Sequence, residues 1–456
     1  MDEFLIRELL EDALSGLGDD VVADARLLGG ESAFLRVRSG RSIEHTTQSD
    51  LRLELRASGG PTSLVSCSTN RLDADGSQAL GERAHAALGS APSDLQGATN
   101  IRWLAPAVEL GILPRRAQFD DNLVDSGPAY RIDLIADALL AIEARGWTCD
   151  ATVAHCIDGA ELDGPSTCAG LASSAGHFAF ERSSWARTVV DIRATPQDPR
   201  LLWRQSFEGF SRSKARAELE VSLLDRLEPL IAAAGSEAPR ALDTVPLNWV
   251  LSEWAMATLW RSLGPLFIGG GLGFVERNIG QAVSFKGLDV KLDPEDSRVR
   301  GRSFDVLGTA SKALPLIESG LAVALLHDRQ TLETLGREPQ GFVVDPNDGR
   351  AEPRDWVVGG VDDVTLWDLL VDVEDGLFWL DLQAKLSGDW LTLSAPSGVW
   401  QVEHGSLRRV VTLPPLRVEA SALLAGIRGL GQSRCALGGA FPPTLLTLTK
   451  TPETKG

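Results

Sequence analysis

Residues 246–273, PLNWVLSEWAMATLWRSLGPLFIGGGLG, form the most apolar stretch of the chain and lie near its middle. Apolar surface this continuous must be buried, so the rest of the chain has to be arranged to cover it. Residues 247–251 read as a short buried strand. Ser252 is placed to cap a helix, and Glu253 falls in its first turn, where the helix dipole favours an anion. Residues 255–263 are apolar on nearly every side, which predicts a deeply buried helix. Gly264-Pro265 should stop it, because glycine accepts the left-handed terminal conformation and proline cannot extend the ladder. Such a strand-cap-helix unit is a common mount for a catalytic group. Yet this helix carries no His, no Cys and one carboxylate.

The 456 residues are enough for a large core and predict two domains. The formal charge of −19 argues against a nucleic-acid partner, since phosphate binding needs clustered Lys and Arg. Cys67, Cys149, Cys156, Cys168 and Cys435 are odd in number and unclustered, which points to free thiols in a reducing compartment. The first residues, MDEFLIRELLEDAL, are acidic and amphipathic, unlike a secretory signal. There is no uninterrupted apolar run of about eighteen residues, so no membrane span is predicted and the expected location is cytoplasmic.

Ile6, Leu9, Leu10, Ala13, Leu14 and Leu17 recur at helical spacing. Strand signals follow at 21–28, 33–38, 41–45 and 51–56. In the last of these Leu51, Leu53 and Leu55 alternate with charges, as in a half-exposed antiparallel strand. Residues 76–88 read as a helix, and residues 90–128 as a loop with weak elements. Ile132, Ile135, Leu139 and Ile142 mark one face of a helix ended by Gly146. Residues 149–156 and 184–193 read as strands, and 219–231 as a helix that Pro229 should kink. Residues 235–239, GSEAP, are the best linker. The predicted fold class is therefore α+β: an N-terminal α+β domain with an antiparallel sheet (1–235) and a β-rich, barrel-like or sandwich domain (236–456). In the second domain 283–292 is strand-like and 313–326 alternates. Trp356, Trp367, Trp379, Trp390 and Trp400 suggest aromatic core packing, with an aromatic binding surface as the alternative.

No active site assembles from the residues alone. His155-Cys156, with Cys149 and Cys168 nearby, lacks any C-x-x-C or H-x-x-x-H pair, and its thiols fit a strand as small apolar groups. His327-Asp328 offers an oriented base or simply a strand end. Ser211-x-x-Lys214 lacks the partner motifs of an S-x-x-K enzyme. The run Gly269-Gly270-Gly271-Leu272-Gly273 is followed by Phe-Val-Glu, without the Lys-Ser/Thr that a phosphate loop requires.

Several stretches, taken in order, resemble the TldD/PmbA family, the two-subunit bacterial metallopeptidase and modulator-of-gyrase proteins. Ser68-Thr69-Asn70-Arg71-Leu72 and the turn Ser173-Ser174-Ala175-Gly176 are similar to its N-terminal segments. Asp305-Val306-Leu307-Gly308-Thr309, Leu316-Ile317-Glu318-Ser319-Gly320-Leu321 and His327-Asp328-Arg329 resemble its D-x-x-GT … LIE-x-G-x-L … DR block. Gly405-Ser406-Leu407, the run 422–427 and Pro443-Thr444-Leu445-Leu446 resemble its closing region.

In the family's catalytic subunit the central helix bears His-Glu-x-x-Gly-His, whose histidines hold zinc and whose glutamate activates the bound water. That string aligns with Trp260-Arg261-Ser262-Leu263-Gly264-Pro265, where only the glycine is kept. Cys435 resembles the cysteine that completes the zinc site, and here would be a remnant ligand or an ordinary thiol. The resemblance thus implies the non-catalytic, TldE-like subunit: a pseudo-peptidase with no catalytic residue, no metal ligand set and no cofactor of its own. It would pair as a heterodimer with a TldD-like zinc peptidase chain that cuts unfolded peptides, as in the maturation of ribosomally made peptides. Peptide binding would resemble strand addition to a sheet edge. The alternatives are a stand-alone peptidase with a relocated site (His327, Asp328, Cys435 or His155/Cys156) and a homodimeric peptide-binding scaffold.

Overall fold

The computed structural model describes residues 3–18, 21–38, 41–60, 63–90, 119–124, 127–158, 168–193, 202–209, 224–225, 227–228, 231, 240–242, 244–270, 273–345 and 349–454. The linker 235–239, Ser211, Lys214, Pro229, Gly271, Leu272 and most of the loop 90–128 lie outside them.

The opening amphipathic pattern forms the helix Glu3–Ser15, which buries Ile6, Leu9, Leu10 and Ala13. It packs beside the helix Ala74–Ser90, and both lie on a five-stranded antiparallel sheet. In spatial order the strands are Ser63–Thr69, Arg52–Gly60, Val22–Leu28, Cys168–Ser173 and Phe178–Phe180. The helices cross where side chains are absent. A Cβ on Gly81 would stand 2.5 Å from the Ala13 carbonyl oxygen, so only glycine permits the approach. Leu53 and Leu55 are buried, as their alternation predicts. The charges between them are not all solvated, however. Arg56 and Arg26 are both buried and clamp the Asp24 carboxylate at 2.5 and 2.7 Å, so three charges share one dry site.

A second antiparallel sheet runs Trp203–Gly209, Ser184–Arg193, Thr148–Asp158, Gly30–Arg38 and Arg41–Ser49. The single helix expected over 132–142 is two, Pro128–Asp133 and Ala136–Glu143. Ile135 leaves the helical region (φ −120°, ψ −3°), and the step buries Leu134 and Ile135 while Ile132 is left exposed.

Beyond residue 240 three open sheets follow. The seven-stranded one runs Arg240–Ala241, Ser406–Thr412, Val399–Glu403, Asp375–Trp379, Asn248–Leu251, Thr444–Thr447 and Ile427–Leu430. Sheets of six and four strands accompany it, and none closes on itself. Of the two architectures expected for this half, the sandwich-like one is present and the barrel is not. No sheet of the described residues takes strands from both sides of 209–240. Even so, one apolar cluster joins Leu35, Val153 and Trp203 to Val250, Phe378 and Trp400.

Trp356, Trp379 and Trp400 are buried, and Trp367 stacks on Trp203 at 5.6 Å, so the tryptophans chiefly build core. Of the strand expected over 283–292, only Val290–Leu292 forms. Leu288 bonds back to Phe285 in a turn, and the Phe285 ring lies 2.5 Å from where a Gly287 Cβ would stand. The alternating run 313–326 is a hairpin, Leu314–Glu318 and Leu321–Ala322, turning through Ser319 and Gly320 at positive φ.

Candidate functional site: an arginine-lined cavity at the central helix

The strand Asn248–Leu251 pairs in parallel with Asp375–Trp379 and antiparallel with Thr444–Thr447, which fixes it within the sheet. Ser252 then caps the helix Glu253–Leu263. Its Oγ accepts the Ala255 N–H at 3.1 Å and donates to the Leu380 carbonyl at 2.6 Å. The ending differs from expectation. Gly264 is right-handed (φ −43°, ψ −48°), and Pro265 opens a 3₁₀ turn, Gly264–Phe267, instead of a left-handed stop. Proline at the first position of a turn loses no needed N–H, so the chain tightens and continues.

Trp260 and Arg261 lie in the last helical turn, and Pro265 lies in the 3₁₀ turn after it. Trp260 is fully buried, with ring centroids 5.9 Å from Phe267 and 5.7 Å from Trp356, in an aromatic cluster that continues the main core. The Arg261 guanidinium donates to the Leu437 carbonyl. Pro265 lies on the rim of a cavity of about 440 Å³. An indole, a guanidinium and a pyrrolidine ring hold no lone pair a metal can use, so these positions do not fit zinc. The helix's one carboxylate, Glu253, is raised by burial and sits 3.8 Å from Arg434, at the opposite end from Pro265.

The strands Arg434–Ala436 and Gly439–Phe441 pack against this helix, so Cys435 is brought near it. The Cys435 thiol, however, donates to the Arg298 carbonyl at 2.7 Å. Between the two strands Leu437 and Gly438 both take positive φ, and their N–H groups point together. The buried carboxylate of Glu208, on the last strand of the second N-terminal sheet, receives them at 2.7 and 2.8 Å. Arg187 pairs with the same carboxylate at 2.9 Å. This loop forms one wall of the cavity. The other walls carry Trp185, Arg300, Arg302, Arg350, Arg354 and Trp356. Burial pushes Arg300 and Arg354 below the usual arginine range, and burial with Arg354 alongside brings Arg302 down to about 9.

The remaining sequence candidates are scattered. Asp328 caps the helix Arg329–Thr334, accepting the Thr331 N–H at 2.6 Å, and so is spoken for. His327 is packed against Gly269, where a Cβ would meet its ring at 2.1 Å. His155 is buried beside Arg131, and burial together with that cation pushes it down to about 3. Burial pushes the Cys149 and Cys168 thiols up to about 12, which makes them inert apolar fillers. Asp305 of the Asp-Val-Leu-Gly-Thr stretch is structural. Its carboxylate gathers the N–H groups of Leu307, Thr309 and Val343 at 2.9–3.0 Å, and burial raises it to about 6. Among the described residues no three His, Cys, Asp or Glu side chains are grouped so that they could hold a metal ion.

The sequence reading missed the arginine lining. Its one local signal was the spacing Arg300-x-Arg302, which in an extended segment sends both side chains to one face.

Residues 247–449 match the model of the PmbA/TldA metallopeptidase C-terminal domain. No curated protein matches the sequence. Among solved structures the chain is similar to TldE from Thermococcus kodakarensis, with TM-score 0.74 and 13% identity over 99% of this chain and 100% of that one. It is also similar to a protein described as a modulator of DNA gyrase from Bacteroides thetaiotaomicron, with TM-score 0.74 and 13% identity over 100% and 99% of the two chains. A third similar structure, from Thermotoga maritima and described in the same words, has TM-score 0.70 and 14% identity over 98% and 99%. At these identities the solved structures speak for the fold, and the sequence model speaks for the C-terminal half. Together they show that residues 247–449 carry the PmbA/TldA metallopeptidase C-terminal domain and that the chain as a whole has the fold of these solved structures.

Proposed function

We propose that this chain is the non-catalytic subunit of a heteromeric metallopeptidase, completing a chamber in which a zinc-bearing, TldD-like partner cuts unfolded peptides. The observation that carries the reading is the end of the central helix and the turn after it. Where a hydrolase needs imidazoles and a carboxylate, Trp260 is committed to the core, Arg261 to a backbone carbonyl and Pro265 to a turn. Zinc would then reside in the partner. Cys435 would have no ligand role, in keeping with its bond to the Arg298 carbonyl.

The open sheets have edge strands to which an extended peptide could be added through main-chain hydrogen bonds, a mode tolerant of sequence. Maturation of ribosomally made peptides is a role that such tolerance suits. A division of the chain at 235/236 and a cytoplasmic location belong to the same reading. No disulfide joins the five cysteines, in keeping with a reducing compartment.

The test is co-expression with a chain carrying the His-Glu-x-x-x-His string. Stoichiometric co-purification, with hydrolysis of an unfolded peptide by the pair and none by either zinc-free chain, supports the proposal. Hydrolysis by the isolated chain, abolished by substitution of His327, Asp328, Cys435 or His155, would overturn it in favour of a relocated site. A stable two-fold self-complex that binds peptide uncut would replace it with a scaffold.

A further inference from the structure

The strand Arg41–Ser49 is the outermost member of the second N-terminal sheet, and no strand of the described residues pairs with its far side. At nine residues it is the longest of the outer strands. Edge strands are normally shielded by lysine, proline or a bulge. Here His45-Thr46-Thr47-Gln48-Ser49 carries no Lys and no Pro, and the one register shift against Gly30–Arg38 falls before it, at Arg36/Val37. Thr47, Gln48 and Ser49 are exposed. The Asp50 N–H bonds to the Gly30 carbonyl at 3.1 Å, which puts the bonded side of the ladder at residue 50. By two-residue alternation Thr46 and Gln48 also point their N–H and C=O inward, and His45, Thr47 and Ser49 point theirs out. Three residues thus offer both backbone groups to a further strand.

A hollow of about 430 Å³ lies against the same strand. Ala33, Thr47, His155 and Ile157 line it from one sheet face, since Ala33 pairs with both Thr47 and His155, and Leu123 walls it from the helix Asp121–Val124. The face runs on into the core at Leu35 and Val153. Its two ends differ in charge. Beside Ser49 stands Glu31, which is exposed and in no ion pair among the described residues. Four residues along the strand, about 13 Å away, the Arg131 guanidinium donates to His45 Nε2 at 2.9 Å. Residues of an added strand that lie opposite His45, Thr47 and Ser49 would send their side chains to this face. One opposite Ser49 would meet the Glu31 carboxylate, on a chain whose formal charge of −19 already favours a cation.

We propose that the edge of Arg41–Ser49 and the hollow beside it form a docking groove for an extended peptide that places a lysine or arginine over Glu31. The groove takes its class of ligand from the peptide-binding reading above, and adds to it the edge, the register and the side chain that is read. It needs neither zinc nor a partner chain, so it can fail while hydrolysis by the heteromer stands, and the reverse.

Fluorescence anisotropy with the full chain tests it, using the capped, dye-labelled peptide Ser-Lys-Thr-Val-Thr-Gln-Ser, in which Lys, Val and Gln fall opposite Ser49, Thr47 and His45. Saturable one-site binding is expected. Methylating the valine nitrogen should weaken it by about tenfold, and replacing Lys by Glu by about fivefold. Glu31→Gln should weaken the Lys peptide by about threefold and leave a peptide with Gln in place of Lys unchanged. Thr47→Pro removes an outward N–H and spares the ladder, so it should lower affinity by about tenfold with the melting temperature nearly held. Should Thr47→Pro not fold, Glu31→Gln and the methylated peptide decide. Glu453→Gln, on the four-stranded sheet, should change nothing. No saturable binding, equal binding of the Lys and Glu peptides, or affinity indifferent to valine methylation would overturn the assignment.

Discussion

The Glu208 carboxylate receives the backbone N–H of Leu437 at 2.7 Å, joining residues 229 apart in sequence. The same group takes the Gly438 N–H and pairs with Arg187. It therefore fixes the left-handed turn that walls the cavity and neutralises a buried cation. Glu208→Ala removes the buried carboxylate 2.9 Å from Arg187 and leaves the Leu437 and Gly438 N–H groups without that acceptor. The expected cost is about 3–5 kcal/mol, read as a lowered urea midpoint, with Glu208→Gln losing less because it keeps one acceptor.

Gly269 lies so close to His327 that a methyl group would meet the ring at 2.1 Å. Since the ring is buried, it has little room to withdraw. Gly269→Ala should destabilise by about 1–3 kcal/mol through overpacking. The double variant with His327→Ala should recover part of that loss. A non-additive double-mutant cycle in chemical denaturation is the measurement, and simple additivity would refute the steric account.

His155 ties stability to pH. Its folded value, pushed down to about 3 by burial and by Arg131, lies below its ordinary 6.5. The unfolded chain therefore binds the proton first. The stabilisation is present in full above about pH 6.5 and is lost as pH falls towards about 3, at up to about 1.4 kcal/mol per pH unit. Asp305 acts in the opposite sense. Raised to about 6, it lets the folded chain take up a proton first, so its contribution grows as pH falls from about 6 towards 3.8. Denaturation midpoints measured across pH 3–7 should therefore decline more steeply in Asp305→Asn than in the wild type. In His155→Gln they should decline less.

Metal removal offers a separate check. Trp260, Arg261 and Pro265 bring no donor atoms, and the Cys435 thiol is bonded to a carbonyl. Incubation with a chelator, or the change Cys435→Ala, should leave the melting temperature within about 1 °C, whereas loss of a structural zinc would remove several kcal/mol of folding energy. A drop of several degrees with either treatment would show that a metal is held here.

The central strand, the Ser252 cap and the helix after it were legible because each rests on local chemistry: a buried apolar run, a hydroxyl at the cap and a dipole-matched acid. The antiparallel N-terminal strands were legible from two-residue alternation and glycine turns. The ending at Gly264-Pro265 was misread, since the same two residues can stop a helix or tighten it, and packing of Leu266 and Phe267 into the core decides which. Beyond the spacing Arg300-x-Arg302, the cavity could not be read. Its arginines come from separate segments around 187, 261, 300 and 350–354, and no spacing rule connects them. Arg26 and Arg56 show the same limit, because only the pairing of their strands around Asp24 buries them.

The indole of Trp260 has a consequence for anyone hoping to turn this scaffold into a hydrolase. Because it interlocks with Phe267 and Trp356, trading it for an imidazole would excavate a hole approaching the roughly 3–5 kcal/mol penalty of truncating a large aromatic. Installing metal donors on that turn would mean rebuilding the neighbouring rings at the same time. Single-letter edits lead downhill, and only a concerted redesign would reach a working centre.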